Sequence, residues 1–370
     1  MKKKILFIIW SYTYGGGAEA LLTSIVNNLN PEKYDISILE YRHAYYKTEP
    51  TNDYVHILPY ISAIDEPDRA KKTYYVYNEP EVAIERFTPK GYDLYISFNY
   101  QIPSFLLPFG TKNIAWIHGD VYDLTDQPRE RRLQCNAFDR VEKIVCISDN
   151  TEQSLIDLFP AYKDKFVKIY NGVDVKRIEA KAKEETDVHL QHPAVVTVGR
   201  LEDNKNQLRN LDILKLVHDR NMPIHMYFLG TGDQKDDILK KAKQYGLEEY
   251  VHLLGYIANP FPIVKQADMS MLLSKSEGFN MSICESLSLG VPFIATNVGS
   301  MRLLSNNEKC GSIIQKDEDA ANAIIAILNN GKGYYESTCK AWIDQFRLEE
   351  YIAQIEDLFD RVLGIVGSEK

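Results

Sequence analysis

Twice along this chain a short apolar run breaks at glycine and gives way to a helical pattern. No other feature constrains the fold as much. The first copy is Ile5–Trp10 running into Gly15-Gly16-Gly17, and the second is Ala194–Val198 running into Gly199-Arg200. Short β-rich runs alternating with helix-length apolar spacing specify parallel strands joined by crossover helices. In the first half the expected strands are Ile5–Trp10, Tyr34–Glu40, Leu94–Phe98, Asn113–Ile117 and Lys143–Ile147, with helices at Ala18–Asn28 and Asn150–Leu158. In the second half the expected strands are Ala194–Val198, His225–Leu229, Val251–Leu253, Met269–Leu273 and Phe293–Ala295. Helices there are expected at Lys205–Asp219, Asp233–Tyr245, Met281–Leu289 and Ala320–Asn329.

A chain of 370 residues is long for one core, so two domains are the natural expectation. The turn Asn171-Gly172-Val173-Asp174, followed by a polar Lys/Glu-rich stretch through His192, places the boundary near Gly172. The domains are then 1–172 and 173–345, the first completed by a C-terminal helix over about 346–370, where Phe346, Tyr351, Ile355, Leu358, Phe359 and Val362 keep helical spacing. The tyrosine-rich segment from Tyr41 to Tyr77 fits no simple element.

The opening Met1-Lys2-Lys3-Lys4 and the apolar run behind it mimic a signal peptide. The run is short and lacks a small-residue cleavage site, so it reads as a buried first strand. No stretch is long and apolar enough to span a bilayer. The net charge of -9 argues against a dedicated nucleic-acid binder. Five widely spread cysteines (Cys135, Cys146, Cys284, Cys310, Cys339) fit neither a disulfide framework nor zinc-ligand spacing, and read as reduced thiols of a cytoplasmic protein.

The strongest chemical signal is Glu277-Gly278-Phe279-Asn280-Met281-Ser282-Ile283-Cys284-Glu285, lying between a buried strand and Gly290-Val291-Pro292. Asn280 is a good helix N-cap, and Gly290 sits where the helix needs a left-handed C-terminal residue. Glu277 then precedes a short helix and Glu285 lies in its second turn. Both carboxylates would face the crevice at the carboxyl end of the sheet, where open α/β folds bind ligands. Around a nucleotide-sugar, the helix N-terminus would receive the diphosphate and each carboxylate would accept from sugar hydroxyls. The bland alternative is two solvated glutamates. In Gly199-Arg200-Leu201-Glu202-Asp203-Asn204-Lys205-Asn206, Arg200 and Lys205 are five residues apart across a turn and would bring two cations to one leaving diphosphate. An exposed basic turn is the alternative there.

Together these segments resemble the family-four retaining glycosyltransferases of the GT-B fold, over most of the chain and in the expected order. The likeness is carried by Gly15-Gly16-Gly17-Ala18-Glu19, Trp116-Ile117-His118-Gly119-Asp120, Ile147-Ser148, Asn171-Gly172-Val173-Asp174 and Gly199-Arg200-Leu201 with Lys205. Further on come Leu229-Gly230-Thr231-Gly232-Asp233, Leu254-Gly255-Tyr256 and the Glu277/Glu285 pair. The resemblance implies an α/β protein of two Rossmann-like domains facing across a cleft. It assigns Glu285 to the ribose hydroxyls, Glu277 to a hydroxyl of the transferred sugar, and Arg200 and Lys205 to the phosphates. Backbone N–H groups at Gly16 and Gly17 would help, since no Cβ there blocks a phosphate. Donor contacts are further expected at Gly199, Gly278, Phe279, Asn280 and Met281, and His118 is placed near the transferred sugar or the acceptor. Two departures stand out. Val298-Gly299-Ser300-Met301-Arg302 lacks a glycine and a glutamate of the family pattern, and Asn280 replaces a frequent glycine.

The implied activity is retaining transfer of a hexose-type sugar, from a UDP-linked donor, to a glycan, lipid-linked or other glycoconjugate acceptor. The resemblance draws this transfer as front-face departure and attack, with the leaving phosphate accepting the acceptor proton. No cofactor and no metal are expected. Asp317-Glu318-Asp319 formally matches a manganese-binding motif, but it sits just ahead of a helical run where acidic residues cap and complement the dipole.

Three rival readings compete with this one. A nicotinamide-dependent dehydrogenase needs G-x-G-x-x-G, which Gly15-Gly16-Gly17 does not make, and only Glu40 is an acid ending the second strand. A nucleotide-sugar epimerase shares the fold. A non-catalytic partner subunit binding glycan or protein is the serious alternative, against which the intact Glu277, Glu285, Arg200 and Lys205 set argues. The basic run Arg129, Arg131, Arg132 and Arg140 would suit the anionic inner face of a cell membrane, though such runs are more often a solvated helix face.

Overall fold

The computed structural model describes residues 1–14, 16–44 and 51–365. The chain divides into two compact units, the first made of Met1–Asn171 with the stretch from Glu349 onward, the second of Gly172–Leu348.

The first unit holds a seven-stranded sheet made of β1 (Lys3–Ile9), β2 (Tyr34–Glu40), β3 (Val55–Ile57), β4 (Leu94–Phe98), β5 (Asn113–Ile117), β6 (Lys143–Cys146) and β7 (Phe166–Lys168). The strand order is β3-β2-β1-β4-β5-β6-β7, and every pairing is parallel. Register runs from Lys3 opposite Tyr34 to Ile9 opposite Glu40, and Ile5 faces Leu94 on the other side. Parallel sheets are covered on both faces by their crossover helices, so central strands are apolar throughout rather than alternating. Ile5, Leu6, Phe7 and Ile8 are accordingly all fully buried.

Helix α1 (Gly17–Asn28) follows β1 directly. The C-terminal stretch returns to this unit: the Phe359 ring packs 6.3 Å from Phe7 and 5.9 Å from Tyr34, and Glu356 accepts the Asn30 N–H at 2.8 Å. The expected tail helix is present as Leu348–Leu363; its last expected residues, 366–370, lie outside the described ones.

The second unit repeats the plan with β8 (Ala194–Val198), β9 (His225–Leu229), β10 (Val251–Gly255), β11 (Met269–Leu272), β12 (Phe293–Thr296) and β13 (Gly311–Ile314), in the order β10-β9-β8-β11-β12-β13, again all parallel. Its helices include α2 (Gln207–Asp219), α3 (Met281–Ser288) and α4 (Asp317–Asn330). Several bounds are corrected: β1 begins at Lys3 rather than Ile5, the helix expected from Asp233 begins at Lys235, and the one expected from Ala320 begins at Asp317. The helix expected from Lys205 begins at Gln207, because Asp203–Lys205 forms a separate 3₁₀ turn and Asn206 (φ 54°) is left-handed.

All five cysteines are free, and four of them are buried. Among the described residues no helix is long and apolar enough to cross a membrane. The basic run is partly engaged within its own unit: Arg129 donates to Tyr77 O and Asn78 Oδ1, and the Arg140 guanidinium lies over the Phe109 ring at 4.4 Å.

Candidate active site

In each sheet the strand order reverses beside the first strand: β1 lies between β2 and β4, and β8 between β9 and β11. At such a switch the crossovers leaving neighbouring strands go to opposite faces, opening a crevice at the carboxyl ends. The sequence-predicted residues of the second unit fall on the two loops that leave β8 and β11 and on the helix α3 that follows the second loop.

The loop after β8 begins at Gly199, whose φ of +156° favours glycine. It is held from β9, where the Gly199 N–H donates to Leu229 O (3.0 Å), Leu201 N–H to Thr231 O (2.9 Å) and Gln234 N–H to Leu201 O (3.0 Å). Contact this close needs the glycines that follow β9. A Cβ on Gly230 would meet Gly199 O at 1.9 Å, and one on Gly232 would meet Leu201 O at 2.2 Å. A third glycine serves the other loop, since a Cβ on Gly299 would lie 2.2 Å from Gly278 O. In the sequence Gly230, Gly232 and Gly299 belong to the family-like pattern but carry no assigned role. Glycines spaced Gly-x-Gly after a buried strand were the available signal.

The two loops are stitched together. Lys275 N–H donates to Asn204 O (2.8 Å), Asn204 Nδ2 to Ser276 O (3.1 Å), and Lys275 pairs with Asp203 at 2.7 Å. The stitching brings Lys205 Nζ to 2.6 Å from Glu277 Oε1, with both side chains largely withdrawn from solvent. Arg200 is not gathered into this pair. Its side chain is 57% exposed and its ion partner is Glu202, at 3.1 Å.

Gly278 and the buried Phe279 lead into α3. Asn280 caps the helix as its sequence context predicts: Oδ1 accepts from Ile283 N–H at 2.9 Å and from Ser282 Oγ at 2.8 Å. Met281 opens the helix and Glu285 follows one turn later, half-buried and already engaged in contacts. Gly290 takes φ +74°, the left-handed end expected of it, against Glu336. Ser300, one of the departures from the family pattern, donates its N–H to Gly278 O (3.0 Å), while its buried Oγ has no partner among the described residues.

In the first unit, Gly15 lies outside the described residues. Gly16 is the extended N-cap of α1, and Gly17 is its first residue, with open space where a Cβ would be. The loop ahead of them is fixed by Glu40 at the end of β2. Its Oε1 accepts from Ser11 Oγ (3.0 Å), Tyr12 N–H (2.8 Å), Thr13 N–H (2.9 Å) and Thr13 Oγ1 (2.6 Å). His118, just past β5, is tucked between aromatic rings, 4.1 Å from Phe98 and stacked 6.3 Å from Trp116. Its Nε2 is buried without a partner among the described residues, and burial holds its pKa down to about 3. The imidazole is therefore neutral near pH 7 and has one ring nitrogen unused.

The acidic tripeptide opens α4 as its sequence context predicts: the Asp319 carboxylate accepts the Lys316 N–H at 3.0 Å, and Asp317 pairs with Arg209 Nε at 2.6 Å.

Two family models match the chain, one described as Glycosyltransferase Family 4 over residues 15–177 and one as Glycosyl transferases group 1 over residues 192–330. A Campylobacter jejuni protein, N-acetylgalactosamine-N,N'-diacetylbacillosaminyl-diphospho-undecaprenol 4-alpha-N-acetylgalactosaminyltransferase, is 27% identical over 183 residues, 49% of each chain. The match thus spans about half the length of that relative. The amylovoran biosynthesis glycosyltransferase AmsD of Erwinia amylovora is 23% identical over 295 residues, 79% of this chain and 80% of its own. Among solved structures, Anabaena Alr3699/HepE in complex with UDP superposes with a TM-score of 0.72 at 18% identity, covering 98% of this chain and 100% of that one.

Proposed function

The chain belongs to the family-four glycosyltransferases of the GT-B fold, and from that premise we propose a retaining, metal-independent hexosyltransferase. Its donor is a nucleoside-diphosphate sugar, UDP-linked, and its acceptor a glycan, lipid-linked or other glycoconjugate. The observation that carries this proposal is the Lys205–Glu277 pair (2.6 Å) beside the capped N-terminus of α3, at the strand-order switch of the second sheet.

A diphosphate and a sugar ring bonded to each other need a cation and a hydroxyl acceptor side by side, which such a pair offers. Lys205 turns to the phosphates and Glu277 accepts from a hydroxyl of the transferred sugar. The first-turn amides of α3 left open by the Asn280 cap add partial positive charge. Glu285, one turn further, accepts from the ribose hydroxyls. Arg200, more than half exposed, exchanges Glu202 for the departing diphosphate and supplies it a second charge.

In the first unit, the amides of Gly16 and Gly17 donate to the phosphates. Neutral His118 offers a single hydrogen bond to a sugar or acceptor hydroxyl. In retaining transfer by front-face attack, the leaving phosphate takes the acceptor proton, so no side chain has to serve as nucleophile. The main demand is electrostatic stabilisation of the separating charges.

The relatives support the donor and acceptor classes by what their own names state: a bound UDP in one, a diphospho-undecaprenol-linked glycan in another. A thermal-shift screen of UDP-, GDP- and ADP-sugars, followed by NMR of the product's anomeric centre, tests the assignment. Binding of no nucleotide-sugar, or an inverted product, overturns it.

A further inference from the structure

Glu40 ends β2, where dinucleotide-binding Rossmann folds carry the acid that reads a ribose. Here both of its oxygens face inward. The residue is 4% exposed. Four donors converge on Oε1 from three consecutive residues, Ser11, Tyr12 and Thr13, and His43 Nδ1 lies 2.9 Å from Oε2. A carboxylate can only accept, so Nδ1 of His43 carries the proton in this contact. The Thr13 hydroxyl, having donated to Glu40, accepts the Ala44 N–H at 2.8 Å and so ties the loop to the strand's continuation. The acceptor capacity of Oε1 is filled, which leaves it no lone pair for a ribose.

We propose that Glu40 is a positioning residue: it fixes Ser11–Thr13, and through them the phosphate-facing posture of the Gly16–Gly17 turn. The physical basis is the concentration of donors. Two backbone N–H groups and two hydroxyls point at a single oxygen, so one acceptor atom satisfies four donors. Without that oxygen the donors lose their common acceptor, and those of Ser11 and Tyr12 are buried away from water. Only two residues separate Thr13 from Gly16, the N-cap of α1, so the fixed loop lies close in sequence to the helix start. The proposal rests on the reading that the Gly16–Gly17 amides meet the donor's diphosphate.

The test uses the full chain, with UDP as the probe and three substitutions. Glu40→Ala removes the acceptor. Glu40→Asp keeps the charge but withdraws it by one methylene. Glu40→Gln removes the charge but keeps an oxygen in place, with its amide nitrogen turned to His43, whose other tautomer can accept. Hydrogen exchange at the Tyr12 and Thr13 amides should accelerate at least about tenfold in the Ala and Asp variants and stay within about threefold in the Gln variant. UDP dissociation constants by calorimetry should follow the same order, and donor KM should rise with kcat much less changed. A merely structural role would instead lower folded fraction and kcat and leave KM alone. Should Glu40→Ala fail to fold, the Asp and Gln variants decide.

Unchanged exchange in the Ala and Asp variants overturns the proposal, and so does faster exchange with unchanged UDP affinity. Glu285→Ala serves as the control on the donor site. If UDP binds neither the parent chain nor any variant, the donor reading itself has failed. In that case the exchange result alone decides whether Glu40 fixes the loop.

Discussion

A Cβ on Gly230 would lie 1.9 Å from the carbonyl oxygen of Gly199, closer than any side chain can tolerate against backbone. These two glycines hold the loop after β8, and with it Lys205, against the loop after β9. Gly230→Ala should therefore destabilise the second unit by about 2–4 kcal/mol and weaken UDP binding, because φ is +154° and the clash is with backbone. Gly246→Ala is the matched control. Its φ is +68° but nothing lies within 4 Å of the added carbon, so about 1 kcal/mol is expected, with binding intact. Urea denaturation and calorimetry on the two variants check this; equal losses would refute the close-approach account.

The Lys205–Glu277 contact makes the two residues' roles separable. Glu277→Gln releases Lys205 from its ion partner while keeping a hydrogen-bonding group of the same size. UDP affinity should hold or rise, since Lys205 becomes free for phosphate, while turnover with the intact sugar donor falls. Glu285→Ala should instead weaken UDP binding by roughly 1.5–3 kcal/mol, the worth of a charged hydrogen-bond acceptor. Calorimetry with UDP alone reads the difference, and parallel losses in both variants would contradict the division of labour.

What the sequence made legible follows from how local each signal was. Tyr34–Glu40, Leu94–Phe98, Asn113–Ile117, Ala194–Val198 and His225–Leu229 are read with the same bounds in sequence and structure, because buried parallel strands are short runs rich in apolar and β-branched residues. Val55–Ile57 and Phe166–Lys168 were not expected; they are three-residue edge strands, too short and too exposed to show a pattern. The Pro128–Asp139 helix was hidden by composition, since only Gln134, Ala137 and Phe138 of its twelve residues are buried. At the site, Asn280 and Gly290 were readable because capping is a local matter. The glycines at 230, 232 and 299 answer carbonyls between about 20 and 31 residues away, and Glu40 answers donors 27 to 29 residues away. Partners that distant leave no mark on local spacing.

Acid should destabilise the protein well before its carboxylates titrate. Burial lowers the pKa of His118 to about 3; burial, and then the neighbouring histidines, lower those of His225 and His252, whose Nδ1 and Nε2 lie 3.1 Å apart and share one proton. A histidine with a depressed folded pKa binds its proton more readily when unfolded. Its contribution is therefore whole above about pH 6.5 and is lost as pH falls toward the folded value, by up to about 1.4 kcal/mol per pH unit and site. Urea midpoints should fall steadily from pH 6.5 to 5. His118→Leu should flatten that slope, and an unchanged slope would mean the imidazole is solvated.

Turnover should survive removal of divalent metal. The charge of a leaving diphosphate must be met by something, and two cations stand on the loop after β8. At about 4 Å and an effective dielectric near 20, each such contact is worth on the order of 4 kcal/mol before desolvation costs. Arg200→Ala should then lower turnover by about 10²–10³-fold, or roughly 2.7–4 kcal/mol of barrier. Asp317→Ala addresses the manganese-like tripeptide. Its carboxylate is held by Arg209 at 2.6 Å, and the Lys316 N–H that Asp319 accepts sits at the same helix start, so the expected cost is about 0.5–1 kcal/mol of stability and no loss of rate. The assay is donor consumption in excess chelator, run on the parent chain and on both variants. Activity abolished by chelator and restored by manganese, with Asp317→Ala inactive and Arg200→Ala unaffected, would transfer the leaving-group role from the loop cations to a metal.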